Sequence, residues 1–404
     1  MGIKIIDKWM LLLLAVLLTA CHSGDKEEIN SSDEDCFLDI YVYAPERPIV
    51  TRADVGDIKS TDAESKVNTL QIWVFKSSNG DPVGYLDADP YFLNETGQQK
   101  YRMKISNDFA KAPEKVDVYV VANAASSGLT LDDGTSRNGL ANAMIEGEHF
   151  GTGTISGDIT TGLQSTVPDT GLPMSAVAKN QPIDGSFPTL RIGTSEKMTV
   201  MQLTRAVSKL RFVLCRITEK ETSTKKLVGI NSISLAENQI PTQSCLFPRE
   251  SYDYEYNHPA ISYGGLVKDK IPDVPDPMVY VYETQNAQDY EDLINQNLID
   301  PDEVSATEVD GKLLELGLTY LRESDLRLTG TINYTYKEYK ENEVEKTDDV
   351  PFTMANPGDF LRNHSWIIYI YYMDSKIYVF TVTHIGMKNW TDDGVPENTT
   401  FYNW

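Results

Sequence analysis

Cys21 is the first residue of this sequence with the chemistry for a covalent attachment. It follows Lys4, Lys8 and an apolar run over residues 9–18, which is the layout of an export signal. That run is too short to span a bilayer, which takes about 20 apolar residues. The order Leu-Thr-Ala-Cys that ends at Cys21 is a lipobox, in which a peptidase cuts before the acylated cysteine. The sequence therefore predicts a signal peptide over residues 1–20 and a lipid such as palmitate on Cys21. The alternative is an ordinary signal peptide followed by a chance cysteine.

The other residue types capable of chemistry form no recognisable site. Five histidines are scattered without the paired spacing of zinc sites. The serine of Gly-Thr-Ile-Ser-Gly at 153–157 does not occupy the position of a nucleophile elbow. Acidic turns at 131–134, 271–278 and 390–394 lack the ligand spacing of a calcium loop, and Asp and Gly are typical of solvated turns. We predict no catalytic residues, no metal and no cofactor, hence a binding or assembly protein rather than an enzyme.

Composition narrows the class of protein further. The chain has 404 residues, which predicts two or three domains, and 41% of them are hydrophobic, which is enough for real cores. A formal net charge of −24 argues against a nucleic-acid partner. Four cysteines are too few for a disulfide scaffold, and Cys215 and Cys245 could either pair or remain buried thiols.

An alternating segment at 37–43 is the first sign of folded structure. It follows a polar, acidic tether at 22–36 and precedes a polar stretch at 51–66 that is predicted to be exposed to proteases. Alternation of apolar and other residues predicts a half-buried strand. One face of this strand carries the aliphatic residues Leu38, Ile40 and Val42, and the other carries Phe37, Asp39, Tyr41 and Tyr43.

Similar strand signals recur along the chain and define the expected fold class. They lie at 70–75, 101–105, 117–125, 198–203, 210–217, 230–235, 278–283, 326–337, 365–372 and 377–383, and one short helix is predicted at 137–148. Short tyrosine-rich and β-branched strands predict an all-β fold: two antiparallel β-sandwich domains, transthyretin-like or Ig-like, in tandem with few short helices. We place the boundary near residue 185, which gives an N-terminal domain over 53–185 and a C-terminal domain over 186–404.

Seven phrases of the chain resemble, in the same order, signatures of the Bacteroidetes-type (type V) major fimbrillins. They are spread across nearly the whole chain, and each is weak alone. Ser208 and Thr284 depart from the family pattern, which has alanine and asparagine there, and the tail is short. The phrases are TRADVGDIKSTDAESKVNTLQIWVF at 51–75, VYVVANA at 118–124, LPMSA at 172–176, LTRAVSKLRFVL at 203–214, VYVYET at 279–284, FLRNHSWIIYIYY at 360–372 and WTDDGVPENTTFYNW at 390–404.

The resemblance implies a lipoprotein precursor of a pilus (fimbrium). The precursor would be held at the outer membrane through Cys21 and cut by an Arg-specific protease between Arg52 and Ala53. Arg47 is a rival cleavage point, but a proline follows it. The propeptide at 21–52 would leave with its strand, and a neighbouring subunit would fill the groove by donor-strand pairing. The displaced strand would comprise Phe37, Leu38, Ile40 and Val42, and the donor region would include Tyr378, Phe380, Val382, Phe401, Tyr402 and Trp404.

The expected partners follow from this resemblance. They are other copies of the chain, other pilus subunits and a receptor on a host or bacterial surface, with cell adhesion as the outcome. One alternative is a surface lipoprotein of the same fold that does not polymerise, either a pilus anchor or a tip adhesin. Another is a glycan-binding surface lipoprotein, suggested by 22 tyrosines and five tryptophans that could stack on sugar rings.

Overall fold

The computed structural model describes an all-β chain, which confirms the predicted fold class. The described residues are 35–44, 62–146, 149–150, 167–216, 225–249, 253–257, 259–264, 314–338, 344–354, 360–373 and 376–384. The predicted strand at 278–283 lies outside them. Within the described part of the chain, no helix is long and apolar enough to cross a membrane.

The first half of the chain contains eleven strands and four short α-helices among the described residues. The strands are β1 Cys36–Tyr43, β2 Leu70–Lys76, β3 Pro82–Ala88, β4 Gln98–Ile105, β5 Val116–Ala122, β6 Met144–Ile145, β7 Met174–Gln181, β8 Ile183–Ser186, β9 Thr189–Ile192, β10 Val200–Gln202 and β11 Thr204–Arg205. The helices are α1 Asp62–Ser65, α2 Tyr91–Thr96, α3 Asn107–Lys111 and α4 Arg137–Ala141, and a 3-10 turn covers Ala124–Ser127. β1, β4, β8, β9 and β10 form one five-stranded sheet, and β11-β7-β5-β2-β3 is the order of the other.

The second half contributes nine more strands. They are β12 Val207–Arg216, β13 Lys225–Leu235, β14 Ser244–Cys245, β15 Ile261–Gly264, β16 Leu314–Arg322, β17 Thr329–Glu338, β18 Glu345–Thr353, β19 Ser365–Met373 and β20 Lys376–His384. Two four-stranded sheets have the orders β16-β12-β19-β20 and β15-β13-β17-β18, and β14 pairs with β6. The pairing is antiparallel except where β1 meets β9 and β10 and where β12 meets β19.

The predicted helix at 137–148 is shorter in the structure. Ser136 caps its start by accepting a hydrogen bond from the Gly139 amide, and the helix ends at Ala141. β6 follows and pairs with β14, which is about a hundred residues further along the chain. A long-range pairing of this kind overrides a local helical pattern, because packing contributes more than helix propensity.

The buried apolar side chains form two clusters. The first contains residues from Cys36 to Val207 together with Leu246, Phe247 and Tyr320. The second contains residues from Leu210 to Ile377. Within the described residues, β9, β10 and β11 pair only with strands of the first half. The change from the first cluster to the second falls within β12, between Val207 and Leu210. The boundary near residue 185 stays a prediction.

Candidate functional site

β1 lies in the interior of its sheet, with a strand along each edge. All eight of its residues pair antiparallel with β4, from Cys36↔Ile105 to Tyr43↔Gln98. Its other edge pairs in parallel, first with β9 from Phe37 to Asp39 and then with β10 from Tyr41 to Tyr43. A strand paired on both edges satisfies the backbone amides and carbonyls of its neighbours as well as its own.

The inward face of β1 is a fully buried part of the first core. Leu38, Ile40 and Val42 have 0% exposure, as the sequence pattern predicts. Leu38 lies opposite Met103 and Ile40 opposite Tyr101, both of which are buried. Burial of three aliphatic side chains at ~1.5–3 kcal/mol each gives a gross stabilisation of roughly 5–9 kcal/mol. β1 therefore accounts for a large share of the packing in its sheet.

The outward face of β1 carries one nearly buried carboxylate. Asp39 is 7% exposed and lies directly opposite Arg102 in the β1–β4 register. Arg102 donates from Nε and Nη2 to the two Asp39 oxygens at 2.7 and 2.9 Å, and the Lys100 ammonium lies 3.5 Å away. A two-pronged guanidinium–carboxylate pair is among the stronger charge-assisted contacts. It ties β1 to β4 on the face opposite the core.

The electrostatics of Asp39 follow from these contacts. Burial opposes ionisation, but the hydrogen bond and charge of Arg102 and the charge of Lys100 outweigh it, so the pKa of Asp39 lies below its usual range. The same pair raises the pKa of Arg102. Asp39 is therefore a carboxylate at neutral pH and neutralises two cations of β4.

A second cluster of charged residues lies around helix α1. Glu64 of α1 and Lys209 of β12 form an ion pair at 2.8 Å, and both are almost completely buried. Tyr320 donates a hydrogen bond to Glu64. Arg205, also fully buried, donates from Nε to the Glu64 carbonyl at 2.8 Å and from Nη2 to the Ser65 hydroxyl at 2.8 Å. Glu64 and Ser65 belong to the end of the polar stretch at 51–66, which was predicted to be exposed. That prediction is wrong for these two residues, because the ion pair with Lys209 and the hydrogen bonds from Arg205 compensate the burial of their polar groups.

The pKa values in this network are set by burial and by the opposite charges. Burial disfavours the charged form of Glu64, but the charge and hydrogen bond of Lys209, with smaller contributions from Tyr320 and Arg205, hold the pKa of Glu64 below its usual value. Burial lowers the pKa of Arg205 to about 10 although Glu64 opposes that shift. The network is therefore ionic at neutral pH.

Three of the six candidate donor residues already lie in a strand in this structure. Tyr378, Phe380 and Val382 belong to β20, where they pair with Tyr371, Tyr369 and Ile367 of β19. β20 is an edge strand of its sheet among the described residues. Phe401, Tyr402 and Trp404 lie outside the described residues, as do Cys21, Arg52 and Ala53.

The structure thus brings the displaced-strand residues Phe37, Leu38, Ile40 and Val42 into one strand. The Asp39–Arg102 pair and the Glu64 network were not predicted, because their partners are distant in sequence. A signal did exist: Arg205 and Lys209 are two of the three charges in the strand-forming phrase at 203–214. The Cys245 thiol is buried and forms no disulfide. Among the described residues, no group of three or more His, Cys, Asp and Glu side chains could hold a metal ion.

Comparison with known proteins gives structural similarities at low sequence identity. No protein-family model matches the chain, and no curated protein matches it. It is similar to the tip fimbrial protein Mfa3 from Porphyromonas gingivalis, with a TM-score of 0.44, 14% identity and coverage of 87% of this chain and 99% of that one. A fimbrial assembly protein from Parabacteroides distasonis is similar with a TM-score of 0.41 and 12% identity, and the match covers 86% of this chain and 95% of that one. A fimbrial protein from Bacteroides vulgatus is similar with a TM-score of 0.40 and 9% identity, and the match covers 87% of this chain and 99% of that one.

Proposed function

We propose that the chain is a structural subunit of a cell-surface pilus that supports adhesion. It is exported as a lipoprotein attached through Cys21, cut after Arg52 by an Arg-specific protease and polymerised by donor-strand exchange. The observation that carries this proposal is the position of β1: an interior, fully packed strand that lies upstream of Arg52 while the rest of its sheet lies downstream. A cut at Arg52 disconnects β1 from every strand with which it pairs.

Loss of β1 removes both apolar contacts and backbone hydrogen bonds from its sheet. The inward face of its sheet loses Leu38, Ile40 and Val42, and β4 on one side and β9 and β10 on the other lose their pairing partner. Each backbone group left buried without a partner costs on the order of 1–3 kcal/mol. A strand from another subunit that fills the groove restores both the backbone ladder and the apolar contacts.

The donor strand in this proposal comes from the C-terminal end of a subunit. Because β20 is paired with β19 in the monomer, we draw the donor strand from the residues that follow His384. It includes Phe401, Tyr402 and Trp404, which provide aromatic side chains at strand spacing. In the proposed assembly, these aromatic side chains enter the groove of the next subunit.

The test uses the purified full-length precursor and an Arg-specific protease. Cleavage should produce ladders of oligomers on unboiled gels, because each processed body takes a strand from its neighbour. Arg52→Ala should stay monomeric and keep β1, whereas Arg47→Ala, the matched control, should form ladders like the parent. Removal of residues 391–404 should stop assembly without unfolding the monomer. If Arg52→Ala assembles as well as the parent, the cleavage-driven account is wrong. If the cleaved parent forms no ladders either, a non-polymerising anchor or tip adhesin that keeps β1 replaces it.

A further inference from the structure

The outward face of the β1 sheet carries a row of alternating charges. In the strand register, Asp184 of β8 lies opposite Arg191 of β9, Arg191 lies opposite Asp39 of β1, and Asp39 lies opposite Arg102 of β4. Paired residues of neighbouring strands lie on the same face of a sheet. The order across four adjacent strands is therefore acid, base, acid, base.

Asp39 is the one member of this row that departs with β1. Arg102 makes its ion pair with Asp39, and Lys100 also lies beside that carboxylate. Arg191 makes one hydrogen bond to Asp184 at 2.7 Å, while its buried Nε atom has no partner among the described residues. With strands spaced about 4.8 Å apart, removal of β1 leaves the backbones at Arg102 and Arg191 about 10 Å apart across an empty position.

We propose that the vacated groove selects a replacement strand that carries a carboxylate between two inward-facing apolar residues. This inference rests on the proposed removal of β1 and adds the chemistry of the strand that replaces it. Such a strand puts its carboxylate between Arg102 and Arg191 and its two apolar neighbours at the positions of Leu38 and Ile40. A strand with a neutral residue there leaves Arg102 and Lys100 without their countercharge, and one with a basic residue adds a like charge to them.

The occupant that fits best is a strand of a different pilus subunit, and the tail of a second copy, which forms the ladders of the purified protein, is the weaker occupant. Residues 391–404 contain three carboxylates, at Asp392, Asp393 and Glu397. Their neighbours on the two sides are Thr and Asp, Asp and Gly, and Pro and Asn, so none lies between two large apolar residues. The tail still enters the groove of the next copy, as in the proposed function, but it does so without the pattern that the groove favours.

The experiment measures binding of labelled peptides to full-length protein that has been cut with the Arg-specific protease. The reference peptide has the sequence of residues 36–44. Its Asp39→Asn variant should bind about tenfold more weakly, since a hydrogen bond to a charged group is lost, and its Asp39→Lys variant should bind more weakly still. Tyr41→Asn, on the same outward face but with no ion pair, serves as the matched control and should bind as the reference does. A peptide of residues 391–404 should bind more weakly than the reference.

The outcomes separate this inference from the proposed function. If the processed body retains residues 36–43 and takes up no peptide, no groove opens and the proposed function itself is wrong. If the reference and Asp39→Asn peptides bind equally, the groove exists but has no preference for a carboxylate. If the 391–404 peptide binds as tightly as the reference, the groove does not prefer the carboxylate pattern over the tail of a second copy. An Arg102→Glu body should reverse the order and prefer the Asp39→Lys peptide; if it does not fold, the peptide series on the parent body still decides the question.

Discussion

At the scale of single residues, the charged side chains inside the molecule are placed where the two halves of the chain meet. Glu64 comes from α1 at the end of the polar stretch, and Lys209 comes from the first strand of the second half. Arg205 joins them through the Glu64 carbonyl and Ser65. Buried charges are costly unless they are paired and hydrogen-bonded, so removal of one partner leaves the remaining charges of the network uncompensated.

Glu64→Gln should therefore destabilise the protein strongly. The change leaves the buried Lys209 and Arg205 cations without a carboxylate, and loss of one partner from a buried pair costs about 3–5 kcal/mol. Urea unfolding of the precursor measures this as a lower midpoint. Glu114→Gln, which removes a surface carboxylate paired with Lys76, should leave the midpoint unchanged. Equal midpoints for the Glu64→Gln variant and the parent would contradict the proposed importance of the network.

At the scale of elements, β1 differs from the other strands of the first half because it alone lies upstream of Arg52. Its three inward side chains pack against β4 and the rest of the first core, and its edges are shared by three strands. In the proposed function these contacts stabilise the precursor and are absent from the processed body. A substitution in β1 and one in a retained strand should therefore differ in effect after cleavage.

Ile40→Ala should lower the free energy of unfolding of the precursor by about 2–5 kcal/mol, since it removes a fully buried side chain. The same change should leave the processed, assembled protein unaffected, because β1 is no longer there. Ile72→Ala in β2 is the matched control: it is equally buried but downstream of Arg52, so it should destabilise both forms. If Ile40→Ala weakens both forms alike, β1 stays in the molecule after cleavage.

The sequence reveals β1 because local alternation is enough to identify a half-buried strand. The inward triplet of Leu38, Ile40 and Val42 is buried as predicted, and β2, β5, β12, β19 and β20 fall on predicted segments. The parallel pairing of β1 with β9 and β10 was not predictable, because it joins residues about 150 positions apart through very short strands. The pairing of Asp39 with Arg102 depends on the antiparallel register of β1 with β4, which joins residues 63 positions apart, and it carries no local signal.

At the scale of the whole molecule, the second half of the chain contributes to the core of the first. Phe247 packs edge-on against Tyr119 of β5 at 5.1 Å between ring centroids, and Ser175 donates to the Leu246 carbonyl at 2.7 Å. Arg362, paired with the buried Glu323, donates to the Leu246 carbonyl at 2.7 Å. These contacts lie downstream of Arg52, so they keep the two halves joined when β1 leaves. In the proposed function we therefore expect the processed body to retain most of its structure apart from one groove.

The most direct measurement of the central claim is the peptide content of the assembled, protease-treated protein, determined by mass spectrometry of oligomers cut from a native gel. The account predicts that peptides from residues 53–404 are present and that peptides from residues 36–43 are absent. Recovery of residues 36–43 in equal amount with the rest of the chain would contradict it, because the first strand would then still occupy its place.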